Sequence, residues 1–184
     1  RHALLQTRQR YLVLVQGPPG TGKTHLSAAT CAAWAEAAPY PAVVVAAAPS
    51  NVACNHIMSE TLPLLPESIV PGRLGNDESV FDETRIQRSV VHRADGALHM
   101  SAGKRRAVNQ RIKGELKKGT YRIFFSTYLK AADVDHLPSY GALADGAGQA
   151  TEPATCVILA SAIVGGHTMI VGDAQQLPPS LQDR

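Results

Sequence analysis

Residues 17–24 constrain the fold of this 184-residue chain more than any other segment. Their sequence, GPPGTGKT, fits the pattern G-x-x-x-x-G-K-[ST]. The segment follows the aliphatic run at 11–16, which predicts a buried strand, and it precedes an Ala-rich stretch at 24–38, which predicts a helix. A tight Gly-rich loop between a strand and a helix can direct consecutive backbone N–H groups at an anion. The segment therefore predicts a binding site for the phosphates of a nucleotide.

Each residue type in this loop fits one part of that chemistry. Lys23 is placed to reach the β- and γ-phosphates of ATP, and the hydroxyl of Thr24 is placed to ligate Mg²⁺. The candidate ATP-binding residues here are Gly17, Gly20, Thr21, Gly22, Lys23 and Thr24. The alternative is a Gly-rich turn that matches the pattern by accident. At average Gly usage, this happens in about one chain in a hundred.

Strand and helix patterns alternate along the rest of the chain. Apolar runs predict strands at 42–48, 68–74, 121–126, 141–145 and 168–171, and helices are expected at about 52–65 and 151–163. Residues 76–118 contain no strand-like run, and 104–117 resemble a charged helix. The alternation predicts an α/β fold with a parallel sheet flanked by helices on both faces. We expect one domain over residues 1–184, with a helical insertion at about 76–118.

A parallel-sheet NTPase needs an acidic residue at the end of a neighbouring strand to hold Mg²⁺. Asp145 closes the strand predicted at 141–145 and is the first candidate. Asp173 follows the last predicted strand and is the second. For either residue, the alternative is an aspartate that caps a turn.

Composition excludes several other classes of protein. The longest apolar run, at 42–48, is far too short to cross a membrane, and the chain opens with no signal-peptide pattern. Three cysteines without paired spacing disfavour a disulfide scaffold and fit a reducing compartment. We therefore expect an intracellular protein, in either the cytoplasm or the nucleus. Because Arg1 opens the chain, we also expect a fragment of a longer protein.

The positive charge is concentrated in one stretch. The net charge is +3, and 11 of the 18 basic residues lie between residues 73 and 118. This stretch is either a patch that faces a polyanion or a solvated helical face.

Five segments in series resemble the motifs of superfamily 1 helicases, in the 1B branch that includes the nonsense-decay helicase and senataxin. They are residues 16–24 (QGPPGTGKT) for motif I, 48–53 (APSNVA) for motif Ia, 126–127 for motif Ic, 145–153 (DGAGQATEP) for motif II and 172–179 (GDAQQLPP) for motif III. Ring ATPases of the AAA+ class share GPPGTGKT and are the less favoured alternative, since the APSN and QLPP segments are not expected in them.

The resemblance implies the first RecA-like domain of a helicase, with ATP and Mg²⁺ as cofactors. It implies that Lys23, Asp145 and Gln176 are catalytic, that Gln149 joins the loop in contacting ATP, and that Thr24 and Asp145 hold Mg²⁺. It also implies that Ser50, Asn51 and Thr127 contact the backbone of single-stranded RNA or DNA, and that the basic insertion lies near that strand. Helix capping is the alternative for Ser50 and Asn51, although both roles can hold at once. Tyr128 either stacks on a base or packs in the core.

Two departures from the family pattern bear on hydrolysis. Gly146 stands where motif II has the Glu that activates water, and losing a general base lowers a rate by about 10²–10⁴-fold. The chain ends at Arg184, so the partner RecA-like domain that supplies arginines to the γ-phosphate is expected elsewhere in the parent protein. We therefore expect a motor domain whose isolated form hydrolyses ATP poorly. The alternative is a degenerate pseudo-helicase module that binds ATP and nucleic acid without turnover.

Overall fold

The computed structural model describes residues 12–75, 90–93, 121–134, 137–161 and 166–176. In these ranges the strands are β1 (Leu12–Gln16), β2 (Val43–Ala48), β3 (Val70–Gly75), β4 (Val90–Arg93), β5 (Tyr121–Thr127), β6 (Ser139–Ala144) and β7 (His167–Gly172). The α-helices are α1 (Lys23–Ala37), α2 (Asn51–Thr61) and α3 (Glu152–Ser161). Short 3₁₀ helices span Leu62–Leu64, Tyr128–Val134 and Ala147–Gln149.

The seven strands form one parallel sheet in the order β1-β7-β6-β2-β5-β3-β4. All carboxyl ends therefore lie at the same edge, where open α/β sheets bind their ligands. The central strand β2 is a continuous run of Val and Ala, and all six of its residues are buried. Such a run is typical of a parallel strand that is covered on both faces. The predicted α/β fold with helices on both faces of the sheet is confirmed.

Two apolar clusters hold the helices to the sheet. On one face, Trp34 of α1 and Ile57 of α2 pack with Val44 and Phe125. On the other face, Phe124 packs with Ile158 of α3 and with residues of the 3₁₀ helix Tyr128–Val134. Successive residues of a strand point to opposite faces, so adjacent Phe124 and Phe125 serve different clusters. The sheet thus fixes α1 and α2 together on one side.

Three expectations about individual elements were wrong. The first strand is not buried, because β1 pairs on one side only within the described residues; Leu12 is 52% and Leu14 is 70% exposed. The segment at 76–118 does contain a strand, since β4 pairs in parallel with β3. The second helix ends at Thr61, because Pro63 lacks the N–H that would continue it, and a 3₁₀ helix follows. The charged helix expected at 104–117 lies outside the described residues.

Candidate nucleotide-binding site

The phosphate loop joins the end of β1 to the start of α1. Gly20 and Gly22 have φ angles of +77° and +79°, in the left-handed region that other residues rarely adopt. Among the described residues, a Cβ on either would meet no heavy atom within 4 Å, so conformation rather than crowding requires glycine. The N–H of Gly17 donates to the carbonyl of Gly172 at 3.2 Å and ties the loop to β7. The loop therefore has the backbone that an anion cradle needs.

Lys23 is the first residue of α1, and its side chain folds back over the loop. Its Nζ donates to the carbonyl of Gly17 at 2.6 Å and to that of Pro18 at 2.8 Å. The hydroxyl of Thr21 donates to the same Pro18 carbonyl at 2.7 Å. An ammonium group carries three donors, so these two bonds leave one for a phosphate oxygen. The positive charge of Lys23 is thus held within the loop.

The amino terminus of α1 begins without a side-chain cap. Gly22 occupies the N-cap position, and the first turn contains no acidic residue. The first N–H groups of an α-helix have no partner within the helix, and the helix dipole adds partial positive charge there. Thr24 lies in this first turn and is partly buried. The arrangement suits a phosphate bound at the helix amino terminus.

Asp145 directly follows β6 and has only 8% of its surface exposed. Its Oδ1 accepts a hydrogen bond of 2.8 Å from the hydroxyl of Ser27 on α1. Burial raises the pKa of the carboxyl group, while the Ser27 hydrogen bond and the charge of Lys23 oppose that shift. Thr24 precedes Ser27 by three residues and so lies on the same helix face.

This donor set fits a magnesium ion. A buried carboxylate and a nearby hydroxyl are oxygen ligands of the kind that Mg²⁺ prefers, with nucleotide phosphates completing its coordination. Asp145 and Thr24 are the residues that would hold the ion, and the Ser27 hydroxyl fixes the orientation of the carboxylate. When bound, the ion would neutralise charge on the β- and γ-phosphates.

Asp173, the second candidate for the metal, caps a turn. Its Oδ1 accepts from the N–H of Gln175 at 3.0 Å, and its carbonyl accepts from the N–H of Gln176 at 3.2 Å. Among the hydrogen bonds of the described residues, those to Asp173 stay within its own turn, whereas the carboxylate of Asp145 reaches α1. The geometry therefore favours Asp145 as the metal ligand.

The loops that follow β6 and β7 pack tightly together. The amide of Gln149 donates to the amide oxygen of Gln176 at 3.3 Å. A Cβ on Gly148 would lie 2.4 Å from the carbonyl oxygen of Asp173, so only glycine permits this approach. Two residues that were predicted separately as nucleotide contacts are thus in direct contact with each other.

Gly146 follows Asp145 and has φ +70° and ψ 30°. A Cβ built there would lie 3.1 Å from Cδ and 3.3 Å from Cγ of Pro49. A glutamate at this position would therefore carry both a left-handed backbone and a tight contact with a rigid ring. The local turn is shaped for glycine.

The residues predicted to contact nucleic acid lie at the carboxyl edge of β2 and β5. Ala48 and Thr127 are partners in the register of these strands, which places Thr127 beside the turn that begins α2. Ser50 is the N-cap of α2, and its hydroxyl accepts from the N–H of Ala53 at 3.2 Å. The capping interpretation of Ser50 is therefore confirmed. Asn51 is the first residue of α2.

Two neighbours of these sites, Ser27 and Arg73, were missed from the sequence, and a third, Tyr128, was predicted with two alternatives. Ser27 lies one turn along α1 from Lys23, and no local pattern marks it, because its bond to Asp145 depends on tertiary packing. Tyr128 is 3% exposed and donates to the carbonyl of Asp145 at 2.6 Å, so the packing alternative for its ring is confirmed. Arg73 is fully buried in β3, and the one sequence signal for its burial was an arginine within an apolar strand pattern.

The end of motif III, at 177–179, and all of the basic insertion except β4 lie outside the described residues.

Comparison with known proteins gives one family. The model of the family described as AAA domain matches residues 1–124, which is more than half of the chain. No curated protein matches the chain. Within the part of the chain that the structure describes, none of the helices is both long and apolar enough to cross a membrane.

Proposed function

The chain belongs to this AAA domain family, which contains the first domain of superfamily 1 helicases such as the nonsense-decay helicase and senataxin, and we propose that it is an ATP-binding motor domain of the 1B branch. In the parent protein, ATP would close this domain against a second RecA-like domain. Closure and release would then move the pair along single-stranded RNA or DNA.

The observation that carries the proposal is the arrangement of the phosphate loop, α1 and Asp145. Glycines with left-handed backbones shape the loop, Lys23 places its charge within it, and Asp145 is oriented by α1. These parts supply what phosphoryl-transfer proteins use to position a Mg·ATP complex. Gln176 would sense the γ-phosphate, and Gln149, with which it shares a hydrogen bond, would contact the nucleotide beside it.

A proposed strand-binding edge lies next to the nucleotide site. Ser50, Asn51 and Thr127 present small hydroxyl and amide groups at the carboxyl edge of the sheet. Such groups suit phosphate contacts, which position a strand without reading its sequence. Pro49, which precedes Ser50, lies only 3.1 Å from where a Cβ on Gly146 would stand, and Tyr128, which follows Thr127, donates to the Asp145 carbonyl. Both relationships place this edge beside the proposed metal ligand. A movement at the nucleotide site would therefore also move the strand-binding edge.

A second candidate function is a nucleotide-binding module that does not hydrolyse ATP. It is favoured by Gly146, which offers no side chain to activate water and whose backbone conformation opposes a glutamate. The loop and metal ligands that bind the nucleotide do not depend on this position. ATP binding would then act as a clamp on nucleic acid, without the steps that need turnover.

Two measurements on the purified chain test the proposal. Titration with a fluorescent ATP analogue and Mg²⁺ should show saturable binding, which Lys23→Ala should abolish. Lys130→Ala, which removes a lysine from the segment after β5, serves as the matched control and should leave the affinity unchanged. The absence of Mg²⁺-dependent binding would overturn both candidate functions.

Phosphate release decides between the two candidates. We expect negligible release from the chain alone, so the deciding measurement uses a longer chain that includes the second domain. If single-stranded RNA or DNA stimulates ATP turnover by the longer chain, the hydrolysing motor is favoured. Lack of turnover with intact ATP binding would favour the module.

A further inference from the structure

Arg73 is a buried cation next to the proposed strand-binding edge. It lies on β3, and its exposed fraction is 0%. Desolvation lowers its pKa, which shows that the surroundings disfavour the charged form. Within the described residues, no salt bridge involves Arg73. A buried charge must be satisfied by hydrogen bonds, so its partners define what the residue does.

The partners of Arg73 are three oxygens, two of which belong to α2. Nε donates to Oδ1 of Asn55 at 3.0 Å, and Nη2 donates to Oδ1 of Asn51 at 3.2 Å. Nη1 donates to the carbonyl of Leu74. Asn51 and Asn55 are four residues apart and so lie on one face of the helix. The guanidinium therefore spans the first turn of α2.

This contact fixes the orientation of the Asn51 amide. A guanidinium has five donors and no acceptor, so only the oxygen of the amide can face it. The NH₂ group of Asn51 is then directed away from Arg73. Asn51 is partly exposed and is the first residue of α2, where free backbone N–H groups already favour an anion.

We propose that Arg73 is a positioning residue, which holds the Asn51 side chain so that its NH₂ group donates to a phosphate of the bound single strand. The inference rests on the strand-binding role proposed for Ser50, Asn51 and Thr127. Without Arg73, the amide could turn its oxygen outward and repel a phosphate. With Arg73, the donor orientation is set before the strand arrives, and less ordering is needed on binding.

Two isosteric substitutions separate this role from a purely structural one. Asn51→Asp and Asn55→Asp each give Arg73 a carboxylate partner and each add one negative charge to α2. Both should raise the melting temperature, because a buried guanidinium gains an ion pair. Only Asn51→Asp replaces the outward donor by an acceptor.

The readout is the affinity for fluorescein-labelled oligo(U) and oligo(dT), measured by anisotropy. Asn51→Asp should weaken binding by about tenfold or more, the effect of losing a hydrogen bond to a charged group. Asn55→Asp should remain within about twofold of the original chain, since its added charge lies about 6 Å further along the helix. A structural role alone would change stability and affinity in the same direction.

A double-mutant cycle then tests Arg73 itself. In chains that circular dichroism shows to be folded, Asn51→Ala should cost affinity when Arg73 is present and nothing further after Arg73→Met. If Arg73→Met does not fold, the comparison of Asn51→Asp with Asn55→Asp still tests the inference.

Unchanged affinity in Asn51→Asp, or equal losses in the two Asp variants, would overturn the inference but leave the proposed function standing. An original chain that binds neither oligonucleotide would overturn the strand-binding role and the inference together.

Discussion

The hydroxyl of Ser27 donates a hydrogen bond of 2.8 Å to Oδ1 of Asp145, across 118 positions of sequence. This bond joins the helix that begins at the phosphate loop to the proposed metal ligand, which directly follows β6. It is buried, so water does not compete with it. The orientation of the carboxylate therefore depends on where α1 sits.

Ser27→Ala should shift the pH dependence of Mg·ATP binding. The pKa of Asp145 is raised by burial, and the Ser27 bond opposes that rise, so removing the bond raises the pKa further. Mg²⁺ needs the ionised carboxylate, and its affinity falls as pH falls towards that pKa. Titrations across a pH series should show the loss of binding at higher pH in Ser27→Ala than in the original chain. Coincident curves would show that Ser27 does not control this group.

Asp145→Asn should stabilise the protein while removing the Mg²⁺ dependence of nucleotide binding. The folded pKa of Asp145 lies above its unfolded value, so its contribution to stability is present at low pH and is lost as pH rises through the folded pKa. An asparagine carries no charge, so it loses no stability as pH rises, and its amide oxygen can still accept the hydrogen bond from the Ser27 hydroxyl. The melting temperature of the variant should exceed that of the original chain at neutral pH. This advantage should vanish below about pH 4, the ordinary range of aspartate. A variant that is less stable at neutral pH would contradict the burial argument.

Tyr128→Phe should lower the free energy of unfolding by about 1–2 kcal/mol. The substitution removes a buried hydroxyl and leaves the carbonyl of Asp145 without that donor. Tyr140→Phe, which keeps the ring contact of this residue with His167, is the matched control and should change stability by less than about 0.5 kcal/mol. Urea unfolding of both variants provides the measurement. Equal effects would mean that the Asp145 contact adds no stability.

Gly146→Ala should cost about 1–2 kcal/mol of stability, since its backbone is in the left-handed region and its Cβ would approach Pro49. Gly146→Asn should cost less, because Asn tolerates that backbone better than Ala. Equal stability of Gly146→Ala and the original chain would show that the turn can adopt another conformation. In that case Gly146→Glu could restore a base for hydrolysis in a chain that includes the second domain.

The sequence predicted the layered fold because its strong signals are local. The phosphate loop combines a buried-strand pattern with glycines at fixed spacing, and the Val-Ala run of β2 is typical of a covered parallel strand. The exposure of β1 was not predictable, since Leu12 and Leu14 have the same pattern whether or not a neighbour covers them. Strand position within a sheet depends on distant segments.

The candidate site was predictable only in part, for the same reason. Gly20, Gly22 and Lys23 could be placed because they act within a few residues of one another. The bond from Ser27 to Asp145 depends on tertiary packing, and no local pattern indicates it. Arg73 illustrates the limit, because its two side-chain partners are separated from it by 18 and 22 positions and are neutral amides. Charge patterning reveals acidic partners more readily than amides.

The most direct test of the central claim is hydrogen exchange of the backbone amides at 20–24, measured with and without Mg²⁺ and a non-hydrolysable ATP analogue. The account predicts that exchange of these amides slows when the nucleotide is bound, because their N–H groups then donate to phosphate oxygens. The same protection should be absent in Lys23→Ala. Unchanged exchange at saturating nucleotide in the original chain would contradict the assignment of this loop as the phosphate cradle.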